Sequence, residues 1–268
     1  MKISFIGGGN MARAIIGGLK NNGFDMKAIT VIEPDAEKRT QLANEFNVQI
    51  SDSSVEIRNT DVVVLAVKPQ QLREVCHQLS QLISKQLIIS IAAGVRSTDI
   101  SRWLNDYQSI VRVMPNTPAQ IQAGVSALFA TKNVSTAQRE QATTILAAVG
   151  KILWLNDEHH MDAVTAISGS GPAYVFYLIE ALQEAGVALG LAPEAANMLA
   201  LQTFAGASLL ATQSAEDVKT LRAQVTSKGG TTEQGILALE NANLKGIIMK
   251  AAKAAANKSL SLGDELGQ

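Results

Sequence analysis

The sequence predicts an α/β amino-terminal domain built on a mostly parallel sheet, followed by an all-helical carboxy-terminal domain. Three observations lead there. Short Val-, Ile- and Leu-rich runs alternate with helical stretches through the first half of the chain. The first such run ends in three glycines, Gly7, Gly8 and Gly9. After Trp154 the strand signals stop and only helical ones remain.

Taken in order, residues 2–6 form the first strand and residues 10–22 the first helix. A second strand over 29–33 precedes a helix over 36–46. Residues 61–67, reading DVVVLAV, are the clearest buried strand, with a helix over 71–83 behind them. Further strands fall at 87–91, 111–114 and 125–130. Strand–helix alternation of this kind makes right-handed βαβ units. Strands apolar along their whole length are covered by helices on both faces. In the second half, Pro172 suits a first helical turn, and residues 173–189 are apolar on nearly every side. Gly190 and Pro193 separate this helix from the next. Ser214 with Asp217 predicts a cap for a third helix, and Thr231 with Gln234 a capping box for a fourth. The expected domains are 1–157 and 158–268. Two helices hydrophobic almost all round cannot be hidden within about 110 residues, so a homodimer through the carboxy-terminal helices is expected.

Composition excludes several classes. A net charge of -1 leaves no basic surplus for nucleic acid. A single cysteine, Cys76, rules out a disulfide framework and fits a reducing, cytoplasmic setting. The three histidines, two of them the adjacent His159 and His160, have no metal-ligand spacing, so no metal is expected. The amino terminus is a strand broken by glycines rather than a signal peptide. Residues 195–215 carry no charge but contain Asn197, Gln202, Thr203 and Gln213, which argues for a buried helix and against a membrane span.

Gly7-Gly8-Gly9-Asn10-Met11-Ala12 reads G-x-G-x-x-A between a strand and a helix, the Rossmann dinucleotide-binding context. The glycines permit a tight turn and close approach of the pyrophosphate to the backbone, and the helix start offers free N–H groups. Glu33, at the end of the second strand, is placed to accept from the ribose 2′-hydroxyl of NAD and to repel the 2′-phosphate of NADP. Lys38 and Arg39 follow closely enough to compensate. Val67-Lys68-Pro69 and Ala92-Ala93-Gly94 end strands where such folds bind ligands. Residues 226–233, TSKGGTTE, form a glycine- and hydroxyl-rich loop entering a helix, which suits a small anion such as a carboxylate; a simple capped loop is the alternative reading.

GGGNMA, AVKPQ, AAG, MPNTPA, SGSGPAY and TSKGGTTEQGI occur in that order along the chain. The series resembles the pyrroline-5-carboxylate reductases. The resemblance implies a Rossmann domain, a helical dimerising domain, larger assemblies of dimers in many members, and reduction of 1-pyrroline-5-carboxylate to L-proline by NADPH or NADH, the last step of proline biosynthesis. It further implies that Ile6, Gly7, Gly8, Gly9, Asn10 and Met11 hold the pyrophosphate, and that Ala66, Val67, Lys68 and Pro69 with Ala92, Ala93 and Gly94 line the rest of the cofactor cleft. Ser227, Gly229, Gly230 and Thr231 would bind the substrate carboxylate, and Thr232 would hydrogen-bond near the imine nitrogen as the catalytic residue. Lys228 departs from the uncharged residue more usual there, and Glu33-Pro34 from the hydroxyl, amide or basic residues of members that favour NADP. Two other readings remain: a β-hydroxyacid dehydrogenase-like oxidoreductase, which lacks its lysine because Val175 stands at that position, and a non-catalytic dinucleotide sensor, for which the TSKGGTT loop would be superfluous.

Overall fold

The computed structural model describes residues 1–268. They form two compact units, Met1–Ser170 with Ala254–Gln268, and Gly171–Lys253.

The first unit is organised by one sheet of eight strands: β1 (Ile3–Ile6), β2 (Ile29–Ile32), β3 (Gln49–Ser51), β4 (Val62–Leu65), β5 (Leu87–Ser90), β6 (Ile110–Met114), β7 (Gly124–Ala130) and β8 (Gly150–Leu155). Their spatial order is β3-β2-β1-β4-β5-β6-β7-β8. Neighbours run parallel except β6 and β7. The first six strands therefore have the Rossmann order, with the chain reversing direction across the sheet between β1 and β4. Helices α1 (Asn10–Asn21), α2 (Ala36–Phe46), α3 (Pro69–Leu79), α4 (Ser97–Trp103), α5 (Thr136–Ala147) and α6 (His160–Val164) accompany the sheet.

Strand side chains alternate between faces, and both faces are buried. Ile3, Phe5, Val62, Val64, Leu87 and Ile89 enter one core with residues of α1, α2 and α5. Ile6, Val63, Leu65 and Ile88 enter another with residues of α3 and α4. This is why residues 61–67 carry no polar alternation. In α1, Ala12, Ile15, Ile16 and Leu19 are buried at helical spacing. Gly18 lies on the same side, where a Cβ would collide with the Ala148 carbonyl oxygen.

The second unit contains α7 (Gly171–Ala188), α8 (Pro193–Gln213), α9 (Val218–Gln224), α10 (Thr231–Asn241) and the start of α11 (Leu244–Leu266). Helices α7 and α8 approach closely at Gly186, whose Cβ would lie 3.0 Å from that of Ala196. Gln183 Nε2 donates to Asn197 Oδ1 at 2.6 Å across the same pair. Large apolar side chains nevertheless remain in the open, among them Phe176, Tyr177, Met198, Leu209 and Leu210. No helix is long and apolar enough to cross a membrane.

Several expectations need correction. The strands β3 and β8 and the helices α4 and α5 are additional to those read from sequence. The division into compact units falls after Ser170, with residues 254–268 in the first unit. Ser214 does not cap the third helix of the second unit. It ends α8 and its Oγ accepts from Glu216 N, while Asp217 is the cap and accepts from Thr220 N at 2.7 Å.

Gly18→Ala isolates the packing constraint on α1. Helix propensity favours alanine by about 1 kcal/mol, but overpacking against fixed backbone costs roughly 1–3 kcal/mol. The clash with backbone is the larger effect, and urea unfolding should show a net loss of up to about 2 kcal/mol. An unchanged midpoint would mean that α1 shifts freely over the sheet.

Candidate active site

Register builds the candidate cofactor cleft of the first unit. Ile6 pairs with Ile32 and with Leu65, and Leu65 with Ser90, so β1, β2, β4 and β5 end level. Gly7, Glu33, Ala66 and Ile91 are thus the first residues beyond four adjacent strands. Gly7 turns with φ +97, and its N–H donates to Ile32 O at 2.8 Å. A Cβ at Gly7 would lie 2.9 Å from Ala66 O. Only glycine meets both conditions without strain. At Gly8 a Cβ would lie 2.5 Å from Leu42 Cδ1, so helix α2 is packed directly beneath the loop.

Gly9 begins α1 in extended conformation with no side-chain cap, and a Cβ there would meet nothing within 4 Å. The open space and the uncapped first turn, fronted by Asn10 and Met11, are what a pyrophosphate requires. Across the switch point Ala66 and Val67 are half-buried, Lys68 is exposed and begins α3, and Pro69 is its first residue. One strand further, Ala92 is buried, Ala93 is exposed and Gly94 turns with φ +81. The cofactor residues expected from sequence, Ile6 to Met11, Glu33, Ala66 to Pro69 and Ala92 to Gly94, therefore lie along one end of one sheet.

Glu33 is only 9% exposed. Its Oε2 accepts from Gly8 N at 2.9 Å and its Oε1 from Asp35 N at 3.2 Å. The two cations expected to compensate it are already engaged. Arg39 Nη1 donates to the carbonyl oxygens of Glu33 and Pro34 at 2.6 and 2.8 Å, and Nη2 lies 3.6 Å from Asp52. Lys38 Nζ lies 3.7 Å from Asp35.

The turn after β5 is held from two sides by contacts that the sequence did not announce. Glu158 accepts from Ser97 N at 2.8 Å and pairs with the buried Arg112 at 2.9 Å. The end of α11 supplies Asp264, which pairs with Arg96 at 2.6 Å, and Gly267, whose carbonyl accepts from Arg102. A Cβ at Gly263 would lie 2.9 Å from Gly94 O, so α11 rests on the glycine turn itself. Burial raises the Asp99 carboxyl above its usual range despite Arg102 and Arg96 nearby. Burial also pushes the Cys76 thiol up to about 12, which keeps it protonated and unreactive at neutral pH.

The loop of residues 226–233 belongs to the second unit. Thr226 Oγ1 donates to Arg222 O at 2.6 Å and closes α9. Gly229 turns with φ +75 in open space, so backbone conformation and not crowding demands glycine there. The expected capping box of Thr231 and Gln234 does not form. Gly230 is the cap, it bears no side chain, and Thr231 is already the first helical residue. Glu233 reaches back instead and accepts from Gly229 N at 2.8 Å. Ser227, Thr231 and Thr232 stand exposed around this uncapped helix start.

The cleft of the first unit is that of a dinucleotide-dependent oxidoreductase, and the second unit carries an uncapped helix start ringed by hydroxyls. A family model described as pyrroline-5-carboxylate reductase dimerisation matches residues 158–262, and one described as NADP oxidoreductase coenzyme F420-dependent matches residues 2–94. The pyrroline-5-carboxylate reductase of Pseudomonas aeruginosa is 45% identical over 100% of this chain and 98% of its own. That of Haemophilus influenzae is 43% identical over 96% of each. A pyrroline-5-carboxylate reductase structure from Coxiella burnetii superposes with a TM-score of 0.94 at 44% identity, covering 97% of this chain and 98% of that one. A Plasmodium falciparum pyrroline carboxylate reductase with NADP bound gives 0.87 at 32% identity, covering 98% of each. The chain belongs to the pyrroline-5-carboxylate reductase family.

Gly7→Ala tests the dinucleotide turn. It forces a side chain into positive φ and against the Ala66 carbonyl. Titration followed by reduced-nicotinamide fluorescence should show affinity reduced by at least about tenfold, roughly 1.4 kcal/mol. Wild-type affinity would mean that the dinucleotide lies elsewhere.

Proposed function

We propose that this chain reduces 1-pyrroline-5-carboxylate to L-proline with NADPH or NADH, as a cytoplasmic homodimer joined through its carboxy-terminal helices. The observation that carries the reading is the pairing, in one family member, of a level-ended Rossmann cleft with an uncapped α10 start ringed by hydroxyls. The matched dimerisation segment and the exposed apolar faces of α7 and α8 support the homodimer.

A bound reduced nicotinamide would supply the hydride for the carbon of the C=N bond. The ring nitrogen, already protonated as the iminium, keeps its proton and becomes the secondary amine of proline. The protein's task is then chiefly to orient the substrate and exclude competing geometries. Of the residues Ser227, Gly229, Gly230 and Thr231, the hydroxyls of Ser227 and Thr231 and the open first turn of α10 are suited to holding the substrate carboxylate, while Gly229 N and Gly230 N donate to Glu233 and to Ser227 O and shape the loop. Thr232 Oγ1 is suited to accept the iminium N–H and stabilise its charge. No proton donor is needed in the hydride step. The one carboxylate in this loop, Glu233, is occupied with Gly229 N. A β-hydroxyacid dehydrogenase would need a base for the substrate hydroxyl, and Val175 stands where those enzymes carry a lysine.

Purified protein should oxidise reduced nicotinamide cofactor with 1-pyrroline-5-carboxylate and form proline. Thr232→Ala should lower kcat/KM by about tenfold, the loss of one hydrogen bond to a charged group, with cofactor affinity unchanged. A change within twofold would remove Thr232 from the mechanism. Cofactor binding without turnover would discard the proline reading in favour of a sensor.

Light scattering should give twice the 28.4 kDa chain mass or a higher multiple. Phe176→Glu combined with Leu210→Glu, both on exposed apolar faces, should shift the population toward monomer. A monomeric wild type at working concentration would refute the homodimer.

A further inference from the structure

We infer that Glu158 is a positioning residue for the nicotinamide ring: it grips both ends of the turn between β5 and α4, against which the ring would lie, and so fixes that turn's backbone. The inference rests on the cofactor cleft and the imine reduction proposed above and adds a residue to them.

The sheet order β2-β1-β4-β5 places the end of β5 two strands from the glycine loop after β1. At a strand spacing of about 4.8 Å, that is roughly 10 Å along the same edge. In a Rossmann sheet the adenosine half lies toward β2, and the dinucleotide crosses the switch point toward β4 and β5. The stretch that would meet its far half offers only methyl groups and backbone: Ala92 is buried, Ala93 is exposed and Gly94 turns with φ +81. Where a ring rests there is decided by where this backbone is held.

Helix α4 begins at Ser97, with Arg96 as its cap residue and no side-chain cap of its own. Glu158 supplies that cap from far along the chain. Its Oε1 accepts from Ser97 N at 2.8 Å and its Oε2 from Ser97 Oγ. The same Oε1 accepts from Arg112 Nη1 at 2.9 Å. Arg112 lies on β6 opposite Ser90, the last residue of β5. One carboxylate therefore holds the residue that follows the turn and, through Arg112, the strand pair that precedes it. Its own backbone is anchored, because Met161 N donates to Glu158 O at 2.9 Å and Met161 is wholly buried.

Orientation, more than stability, is what this pair supplies. The side chains of Arg112 and Glu158 are only 7% and 18% exposed. A pair so buried gains little over apolar packing of similar volume, but hydrogen bonds to charged groups fix a direction that apolar packing does not. Hydride transfer needs reacting atoms about 3–3.5 Å apart, and a displacement of about 1 Å can cost on the order of 100-fold in rate. Dinucleotide affinity draws instead on the glycine loop and the start of α1, two strands away. Loss of Glu158 should lower kcat and leave cofactor binding almost intact. The Arg96–Asp264 pair also reaches this turn, but it is more exposed and holds it less firmly.

The test compares the full chain in three forms. Glu158→Gln keeps an acceptor for Ser97 N and loses the charge. Glu158→Leu combined with Arg112→Met replaces the buried pair by apolar groups and leaves no charge unpaired. Thermal unfolding, Kd for NADPH, the fluorescence emission of NADPH bound at saturation, and kcat with 1-pyrroline-5-carboxylate are measured for each. The double variant should unfold close to wild type and bind NADPH within about threefold, yet show a shifted nicotinamide emission and a kcat lowered by at least about tenfold. Glu158→Gln should show the same changes in smaller measure, with kcat lowered by at least about threefold. An unshifted emission, or a kcat within about twofold of wild type, overturns the inference. So does a fall in kcat matched by an equal fall in NADPH affinity, which would make the role merely structural. If the double variant does not fold, Glu158→Gln decides by the same criteria. If wild type binds NADPH and reduces no imine, the proline reading falls; a shifted emission at unchanged Kd then sustains the inference, and an unshifted one overturns it.

Discussion

The structure depends on a constraint of register: four parallel strands that stop at the same height. Because Ile6, Ile32, Leu65 and Ser90 are aligned across β2, β1, β4 and β5, every connection begins from one line. The chain reverses direction across the sheet between β1 and β4, and the helices that follow leave to opposite faces there. The opening this creates contains backbone N–H groups and little side-chain bulk. Gly7 is the consequence most plainly visible. Its positive φ and its approach to Ala66 O are both imposed by the need to turn at that height while β4 ends alongside. A shift of one residue in either pairing would reverse the faces of an entire apolar strand, so the two buried cores enforce the register that the cleft requires.

The same logic explains a contact spanning much of the sequence. The turn after β5 is short, contains Gly94, and would have few partners if only its neighbours in the chain held it. The returning end of α11 lies directly on that turn, with Gly263 against Gly94 O, Asp264 on Arg96 and Leu266 packed on the adjoining core. On another side Glu158 binds Ser97 and the buried Arg112. An exposed ion pair alone contributes little. Close backbone contact together with a largely desolvated pair makes the turn a defined surface rather than a mobile loop, and backbone surfaces of that kind can hold a planar ring against themselves.

What the sequence made legible followed from local physics. Uninterrupted apolar strands, the glycine turn and the helices after them each have a short-range cause. The positions of Gly7 to Met11 and Glu33 at the ends of strands could be read for that reason. The strand β3 escaped because it is three residues long and mostly exposed, so it carries no apolar pattern. The strand β8 sits at the sheet edge with a partly exposed face, where alternation is weak. The caps failed for a subtler reason: Ser214 and Asp217 both fit a capping pattern, and only the path of the chain decides that Asp217 reaches the helix. Thr231 fitted a capping box, but the glycine before it takes the cap and leaves the helix start open. The return of α11 left no trace at all, since Arg96 and Asp264 are related only through the folded chain.

The uncapped start of α10 links sequence to chemistry. A threonine cap would satisfy the first N–H groups within the protein and leave less for a ligand. With Gly230 as cap those groups remain available, and Glu233, which could repel an incoming carboxylate, is turned back onto Gly229 N. The local loss of helix stability is small, while the gain is a helix start whose first N–H groups are left open beside hydroxyls. That suits a substrate carrying its own carboxylate and its own proton on nitrogen. A reaction of that kind has no need of the histidine, the paired carboxylates or the reactive cysteine that the site also lacks.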